Sequence, residues 1–295
     1  ALARNVECWG ITNGLKGMTN GEGEPLHSYS VAGILRHGGT ILGTGRFPAF
    51  SGLDIQQEAV RRMCRLGVEG VVVAGGDGSM RGAKALDALG YPVIGVPCSI
   101  DNDISGTEMS IGTDTAMNTA LEAIDRIKDT ASSHQRAMVV EVMGNNCGYL
   151  AQMVGLAAGA EMVITPESDM TVEEILKRMT VDSRKGKKHF IIVLAEGTRW
   201  NGSELQARLS DAVGAYETRH TVLGYTMRGG SPSALDRILG TGMGMAAANG
   251  LLDGVTGAMT SWQHNRASLL PFSQVTTNNE NRMDGVREMM EVTTL

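Results

Sequence analysis

Apolar and polar positions alternate along this chain with two periods, and the two periods take turns. From Asp54 to Leu66 the apolar residues Ile55, Val60, Met63 and Leu66 recur at helical spacing. Asp54 is the expected cap, Gln57 stands at the capping-box position, and Gly67 ends the run. Val68–Ala74 then reads as a strand buried on both faces, as in a parallel sheet. Ser79–Leu89 reads as a short helix closed by Gly90, and Pro92–Val96 as the next strand, which completes one βαβ unit. The pattern repeats with a helix over Thr115–Lys128 (Met117, Ala120, Ile124 and Ile127 on one face), a strand over Ala137–Val142 and a helix over Tyr149–Ala158. A strand over Met162–Thr165 follows, then a helix through Met179 that Thr171 and Glu174 open as a capping box. Phe190–Ala195 is an apolar strand ending at Glu196, Ser203 starts another helix, and Ser233 starts a long one through about Leu252. Such alternation predicts an α/β fold of two lobes, each a mostly parallel sheet flanked by helices.

Two strand tips carry the candidate chemistry. Gly75-Gly76-Asp77-Gly78-Ser79 is a glycine turn between a strand and a helix. Backbone amides at such a turn, with the positive end of the helix dipole, form an anion site, and glycine lets phosphate oxygens approach the backbone. Asp77 is placed to hold a magnesium ion. Across one short strand lies Ser99-Ile100-Asp101-Asn102-Asp103, with two carboxylates two residues apart. A nucleotide loop beside an acid able to take a hydroxyl proton suggests phosphoryl transfer. Bland readings stand beside this one. Asp101 and Asp103 can cap a turn, Arg136 can form a surface salt bridge, and Glu196 can pair with an arginine. Met143 can be core, His134 can hold a loop, and Lys185, Lys187 and Lys188 can be a solvated turn.

The 295 residues, 42% hydrophobic, suffice for a large core. A net charge of −6 argues against a general nucleic-acid binder, and 4% aromatic residues argue against single-strand stacking platforms. Cys8, Cys64, Cys98 and Cys147 show no metal spacing and read as free thiols of a reducing cytosol. No signal peptide and no long apolar run are visible, so a cytoplasmic protein without membrane insertion is expected.

Eight motifs in order give the chain its resemblance: Gly45-Arg46-Phe47-Pro48, Gly75 to Ser79, Pro97-Cys98-Ser99 through Asp103, Ser133-His134-Gln135-Arg136, Glu141-Val142-Met143-Gly144, Ala195-Glu196-Gly197, Thr218-Arg219 and Arg228-Gly229-Gly230-Ser231-Pro232. Together they resemble the bacterial ATP-dependent 6-phosphofructokinase family. The resemblance implies an ATP site lined by Arg46, Phe47, Gly76, Asp77, Gly78, Ser79 and Gly82, with Asp77 on Mg2+. It implies Asp101 as the base for the 1-hydroxyl of fructose 6-phosphate, with Ser99 and Asp103 arranging the phosphoryl group and metal waters. Ile100, Met143, Gly144, Asn145, Tyr225 and Glu196 then belong to the sugar site, and Arg228 holds its 6-phosphate. Arg136 and Arg219 grip the phosphate of a neighbouring copy's site, which implies a homo-oligomer, typically a tetramer. Lys128, Gly159, Glu161, Lys185, Lys187, Lys188 and His189 match an effector site. The lobes it implies are residues 1–112 plus about 227–277 for nucleotide (ATP/ADP) and 113–226 plus about 278–295 for sugar phosphate.

The chain also departs from the family pattern. The family opens with an apolar strand and a Gly-Gly-Asp-x-Pro-Gly phosphate loop, and this chain, starting at Ala1, shows neither. Either the sequence is a fragment or that segment is missing, and each buried ladder group left unpaired would cost ~1–3 kcal/mol. Asn145 stands where an arginine is usual, Tyr225 where a histidine is, Met227 where a glutamine is, and His37 where an effector-site arginine is. Gly78 favours ATP, because pyrophosphate users carry an aspartate there. Two rivals follow: a catalytically weakened, ligand-binding paralogue, and a pyrophosphate-dependent enzyme.

Overall fold

In the computed structural model, which describes residues 1–168, 170–212, 216–275 and 289, strands and helices alternate. In chain order they are β1 (Cys8–Ile11), α1 (Gly14–Asn20), β2 (Gly23–Leu26), α2 (Leu53–Arg65), β3 (Val71–Gly75), α3 (Asp77–Ala88), β4 (Val93–Pro97), α4 (Thr113–His134) and β5 (Arg136–Val142). Next come α5 (Tyr149–Ala158), β6 (Met162–Ile164), α6 (Val172–Arg184), β7 (Phe190–Ala195), α7 (Gly202–Ala212), β8 (Glu217–Val222), α8 (Ala234–Leu252), β9 (Ala258–Gln263) and β10 (Arg266–Pro271). They fall into two compact units, one of Ala1–Ser99, Ile104–Gly112 and Ser231–Asn278, the other of Ile100–Asp103, Thr113–Gly230 and Asn279–Leu295. The closing segment expected at 278–295 lies, apart from Met289, outside the described residues.

The first unit is built on a sheet of order β10-β9-β4-β3, parallel except for the β9–β10 hairpin. Every residue of β4 is buried, and its alternate side chains serve opposite faces. Val93 packs with Met63 and Leu86 beneath α2 and α3, and Ile94 and Val96 pack with Leu239 and Met243 of α8. Gly95 sits between them because a Cβ there would lie 2.7 Å from the Met80 sulfur of α3. β1 and β2 form a separate antiparallel pair.

The second unit carries an all-parallel sheet of order β6-β7-β5-β8. Its β7 is wholly buried, as the unbroken run Phe-Ile-Ile-Val-Leu-Ala demands. Val140, Val142, Ile191 and Val193 pack against α4 and α5, while Val139, Phe190, Ile192 and Leu194 face α6 and α7.

Three readings need correction. Helix α2 is capped by Gly52, not Asp54, and no capping box forms. Asp54 lies inside the first turn, where its charge still opposes the helix dipole. Strand β3 is not buried on both faces: it is an edge strand with alternating burial, and Val72 is 44% exposed. Helix α3 begins at Asp77, so the acid belongs to the helix's first turn. Strands β1, β2, β8, β9 and β10 have no counterpart among the sequence expectations; β8, for one, alternates charged and small residues along an edge. The Thr171–Glu174 capping box forms as expected, with Thr171 Oγ1 accepting from the Glu174 amide. All four cysteines are free thiols.

Candidate active site

In the first unit β3 delivers the chain into the glycine turn. Gly76 is the N-cap of α3, its carbonyl accepting from the Ser79 and Met80 amides at 2.9 and 3.0 Å. The neighbouring strand tip is tied to this turn by the Cys98 amide, which donates to the Gly75 carbonyl at 2.9 Å. Ser99 lies beside it, 3.7 Å from the position of a Cβ on Gly76. Gly78 is exposed, and a Cβ on it would lie 4.0 Å from Arg81 Nη2, an ordinary contact. Gly82, one turn on, is buried and lets Leu15 of α1 approach, since a Cβ there would lie 2.6 Å from it. Phe47 packs on the core beside Phe50, and Arg46 before it is exposed. The exposed Asp77 carboxylate is ion-paired with Arg81, one turn along the helix. Arg81 escaped the sequence reading, although an Asp and an Arg four residues apart on a helix are a recognised pairing.

Among the described residues no three His, Cys, Asp or Glu side chains cluster as a metal nest. A lone carboxylate at a phosphate turn nevertheless suits magnesium, which keeps several waters and takes one or two carboxylates plus substrate phosphates.

In the second unit a group of charges gathers where β5 and β7 end. Asn102, buried and left-handed at φ 49°, turns the chain between Asp101 and Asp103. A short polar residue tolerates that backbone. Burial, then the like charges of Asp103 and Glu196, push the Asp101 carboxyl up to about 6, and Arg228 opposes the rise. Glu196 is fixed by two amides, Gly144 and Asn145, which donate to its Oε1 at 3.2 and 2.8 Å. The two loops nearly touch there, because a Cβ on Gly197 (φ 80°) would lie 2.2 Å from the Asn145 carbonyl oxygen. Met143 is core, 6% exposed, and its amide donates to the Met227 sulfur at 3.4 Å. Met227 is therefore buried packing where the family pattern has a polar group. Tyr225 is 80% exposed, with the Arg228 guanidinium 5.4 Å from its ring centre.

Arg136 and Arg219 meet elsewhere. Arg136 starts β5, in register with Glu217 of β8, and Arg219 follows two residues later on the same face. Glu217 holds both: its Oε2 accepts from Arg136 Nε at 2.7 Å and its Oε1 pairs with Arg219. These arginines keep the Glu217 carboxyl below its ordinary value, the Arg136 hydrogen bond contributing most. The pair sits at the first residues of β5, whereas Glu196 and Asp101 belong to the other end. Seven residues of strand separate the two ends by roughly 20 Å. Glu217 had no motif to announce it.

A third group forms a hollow of about 340 Å³ lined by Ser132, Glu161, Lys187, Lys188 and His189. Lys187 Nζ lies 3.6 Å from Glu161 and 3.3 Å from Asp182, and Ser132 Oγ is 2.7 Å from His189 Nδ1. Lys128 donates to the Ala158 carbonyl, next to Gly159, which caps α5 with a left-handed backbone. Lys185 caps α6.

A glycine turn opening a helix on one α/β unit, and a carboxyl of raised pKa with a fixed carboxylate on the other, suit a phosphotransferase. The sequence profile described as Phosphofructokinase matches residues 1–251, and the chain belongs to that family. The chain is 47% identical over 265 residues to an ATP-dependent 6-phosphofructokinase of Bacillus pumilus, covering 90% of this chain and 82% of that one. The solved phosphofructokinase of Saccharomyces cerevisiae superposes with a TM-score of 0.84 at 29% identity, covering 99% of this chain and 43% of that chain. A pyrophosphate-dependent phosphofructokinase from Marinobacter aquaeolei, at 21% identity and a TM-score of 0.77, shares the fold over 96% of this chain and 83% of its own.

Proposed function

We propose that this chain is an ATP-dependent 6-phosphofructokinase, transferring the γ-phosphoryl group of ATP to the 1-hydroxyl of fructose 6-phosphate to give fructose 1,6-bisphosphate, a step of glycolysis. The observation that carries the reading is the environment of Asp101. A carboxyl near 6 is ionised at neutral pH yet more basic than an ordinary aspartate, which suits a general base. Asp101 takes the proton of the 1-hydroxyl as its oxygen bonds to the γ-phosphorus, and the bond from that phosphorus to the bridging oxygen breaks, leaving ADP. Glu196, oriented by the Gly144 and Asn145 amides, accepts hydrogen bonds from sugar hydroxyls. Ser99 and Asp103 flank the base in sequence and help arrange the phosphoryl group. The Gly76–Ser79 turn cradles the nucleotide phosphates, and Asp77 would hold magnesium. Bound there, magnesium neutralises phosphate charge. The glycine at 78, where an aspartate would add bulk and charge at the exposed start of α3, supports ATP over pyrophosphate as donor.

Arg136 at the start of β5 and Arg219 beside it on β8 lie far from the end of the sheet that holds Asp101, so they bind the 6-phosphate held by a neighbouring copy, in a homo-oligomer of tetrameric type. Arg228 binds the same phosphate from within. The Glu161–Lys187–His189 hollow, with Lys128, Gly159, Lys185 and Lys188 nearby, binds an anionic effector. The protein acts in the cytoplasm, and among the described residues no helix is long and apolar enough to cross a membrane.

A coupled assay of pure protein with ATP, magnesium and fructose 6-phosphate tests this reading, and turnover is expected. No turnover, with melting shifts from both ligands retained, would establish the weakened paralogue that Asn145 suggests. Activity with pyrophosphate but not ATP would overturn the donor assignment.

A further inference from the structure

The nucleotide turn carries a cation that none of the eight motifs contains. Arg81 projects from α3 one turn after Asp77, and its guanidinium is ion-paired with that carboxylate. The same group flanks the mouth of the turn: Arg81 Nη2 lies 4.0 Å from the position of a Cβ on Gly78, and no other described atom outside the turn's own neighbours comes as close. An anion set against the exposed side of Gly78 would meet that guanidinium. Arg81 is also 73% exposed, so nothing packs its guanidinium in place.

These placements impose a conflict of charge. A bare Asp77 would repel incoming phosphates, and Arg81 neutralises it. An exposed, i,i+4 ion pair is weak, however, and a carboxylate that takes a divalent cation cannot keep its guanidinium partner as well. The displaced guanidinium then has phosphate oxygens within its sweep, and its planar fork suits them. We propose that Arg81 is a nucleotide-positioning residue that exchanges partners, holding Asp77 in the metal-free protein and turning to the nucleotide phosphates when magnesium occupies Asp77. This rests on the assignment of Asp77 to magnesium given above and deepens it. Metal-free nucleotide binding depends on Arg81, because only Arg81 then offsets Asp77. Magnesium-loaded binding depends on it less, because the metal supplies that charge.

The test is titration calorimetry of ADP into the wild type and Arg81→Met, once in EDTA and once in excess magnesium. Methionine keeps length and helix propensity while removing the charge. In EDTA the variant is expected to bind ADP about tenfold more weakly, a loss of ~1.4 kcal/mol. In magnesium a smaller loss of about two- to threefold should remain, from the phosphate contact; no loss there would sink the swing to the phosphates. A magnesium titration at fixed ADP gives a second readout, and half-saturation should fall severalfold in the variant, since Asp77 is no longer contested. Where metal-free binding is too weak to measure, this midpoint decides. Arg81→Lys should restore most of the EDTA affinity. Equal losses with and without metal, or an unmoved magnesium midpoint, would overturn the proposal. If magnesium fails to strengthen ADP binding to the wild type, the Asp77 assignment itself falls. Retained magnesium dependence with an indifferent Arg81→Met would sink the partner exchange alone.

Discussion

Asp101→Asn sets activity and stability moving in opposite directions. The substitution keeps shape and removes the proposed base, whose carboxyl is raised from 3.8 to about 6, chiefly by burial and then by Asp103 and Glu196. With a midpoint near 6 in the ligand-free protein, the wild-type kcat/KM should be half-maximal at about pH 6 and near a tenth of its plateau at about pH 5. Loss of a positioned general base should lower kcat about 10²–10⁴-fold and abolish this acid limb, while the KM for fructose 6-phosphate changes little. Stability carries the opposite sign. A carboxyl raised on folding makes the folded state bind more protons than the unfolded one between about pH 4 and 6. Its favourable contribution is therefore fully present below the unfolded value and lost as pH rises through the folded one. Above pH 6 the wild type keeps an unfavourable charge that asparagine does not have. The shift of about two units, discounted for the partial exposure of Asp101, amounts to on the order of 1 kcal/mol, or roughly 2 °C in Tm. Steady-state kinetics from pH 5 to 9 and scanning calorimetry at pH 7.5 and 4 read both arms. Near-normal turnover, a surviving acid limb, or a lower Tm at pH 7.5 would refute the reasoning.

Three further outcomes are expected. Arg219→Ala should raise the KM for fructose 6-phosphate at least tenfold, and mixing it with Asp101→Asn subunits should regenerate activity that neither shows at low substrate; no recovery would place both residues in one chain's site. Gly78→Asp should weaken ATP binding by calorimetry, because it adds bulk and negative charge to the exposed start of α3, beside Asp77; unchanged affinity would remove the argument for ATP over pyrophosphate. Gly197→Ala combines a backbone at φ 80° with a Cβ 2.2 Å from the Asn145 oxygen, so a loss of about 1–3 kcal/mol in chemical denaturation is expected, with the Glu196 contacts disturbed in the same variant.

The core of each unit was legible because burial imposes a period. Tyr149–Ala158 and Phe190–Ala195 have the bounds that apolar spacing and run length suggest. The Thr171–Glu174 box was readable because its chemistry is local. Features set by distant partners were not. Val71–Gly75 reads as a doubly buried strand, yet only a neighbour on its far side would make it one. β8 stayed hidden because Glu217, Arg219 and His220 break the apolar alternation of an edge strand. The side chains of the site were visible as motifs, but their grouping was not. That Glu217 ties Arg136 to Arg219, or that Arg81 covers Asp77, depends on sheet register and helix turn, which a list of motifs does not contain.

The length of β5 has a consequence for anyone handling the protein. Under the proposed function, the Asp101 acid and the Arg136–Arg219 pair lie toward opposite ends of the seven-residue β5, so an isolated chain would own half of two reaction centres and the whole of none. Specific activity should then fall on dilution, as assemblies come apart, even though every molecule stays folded.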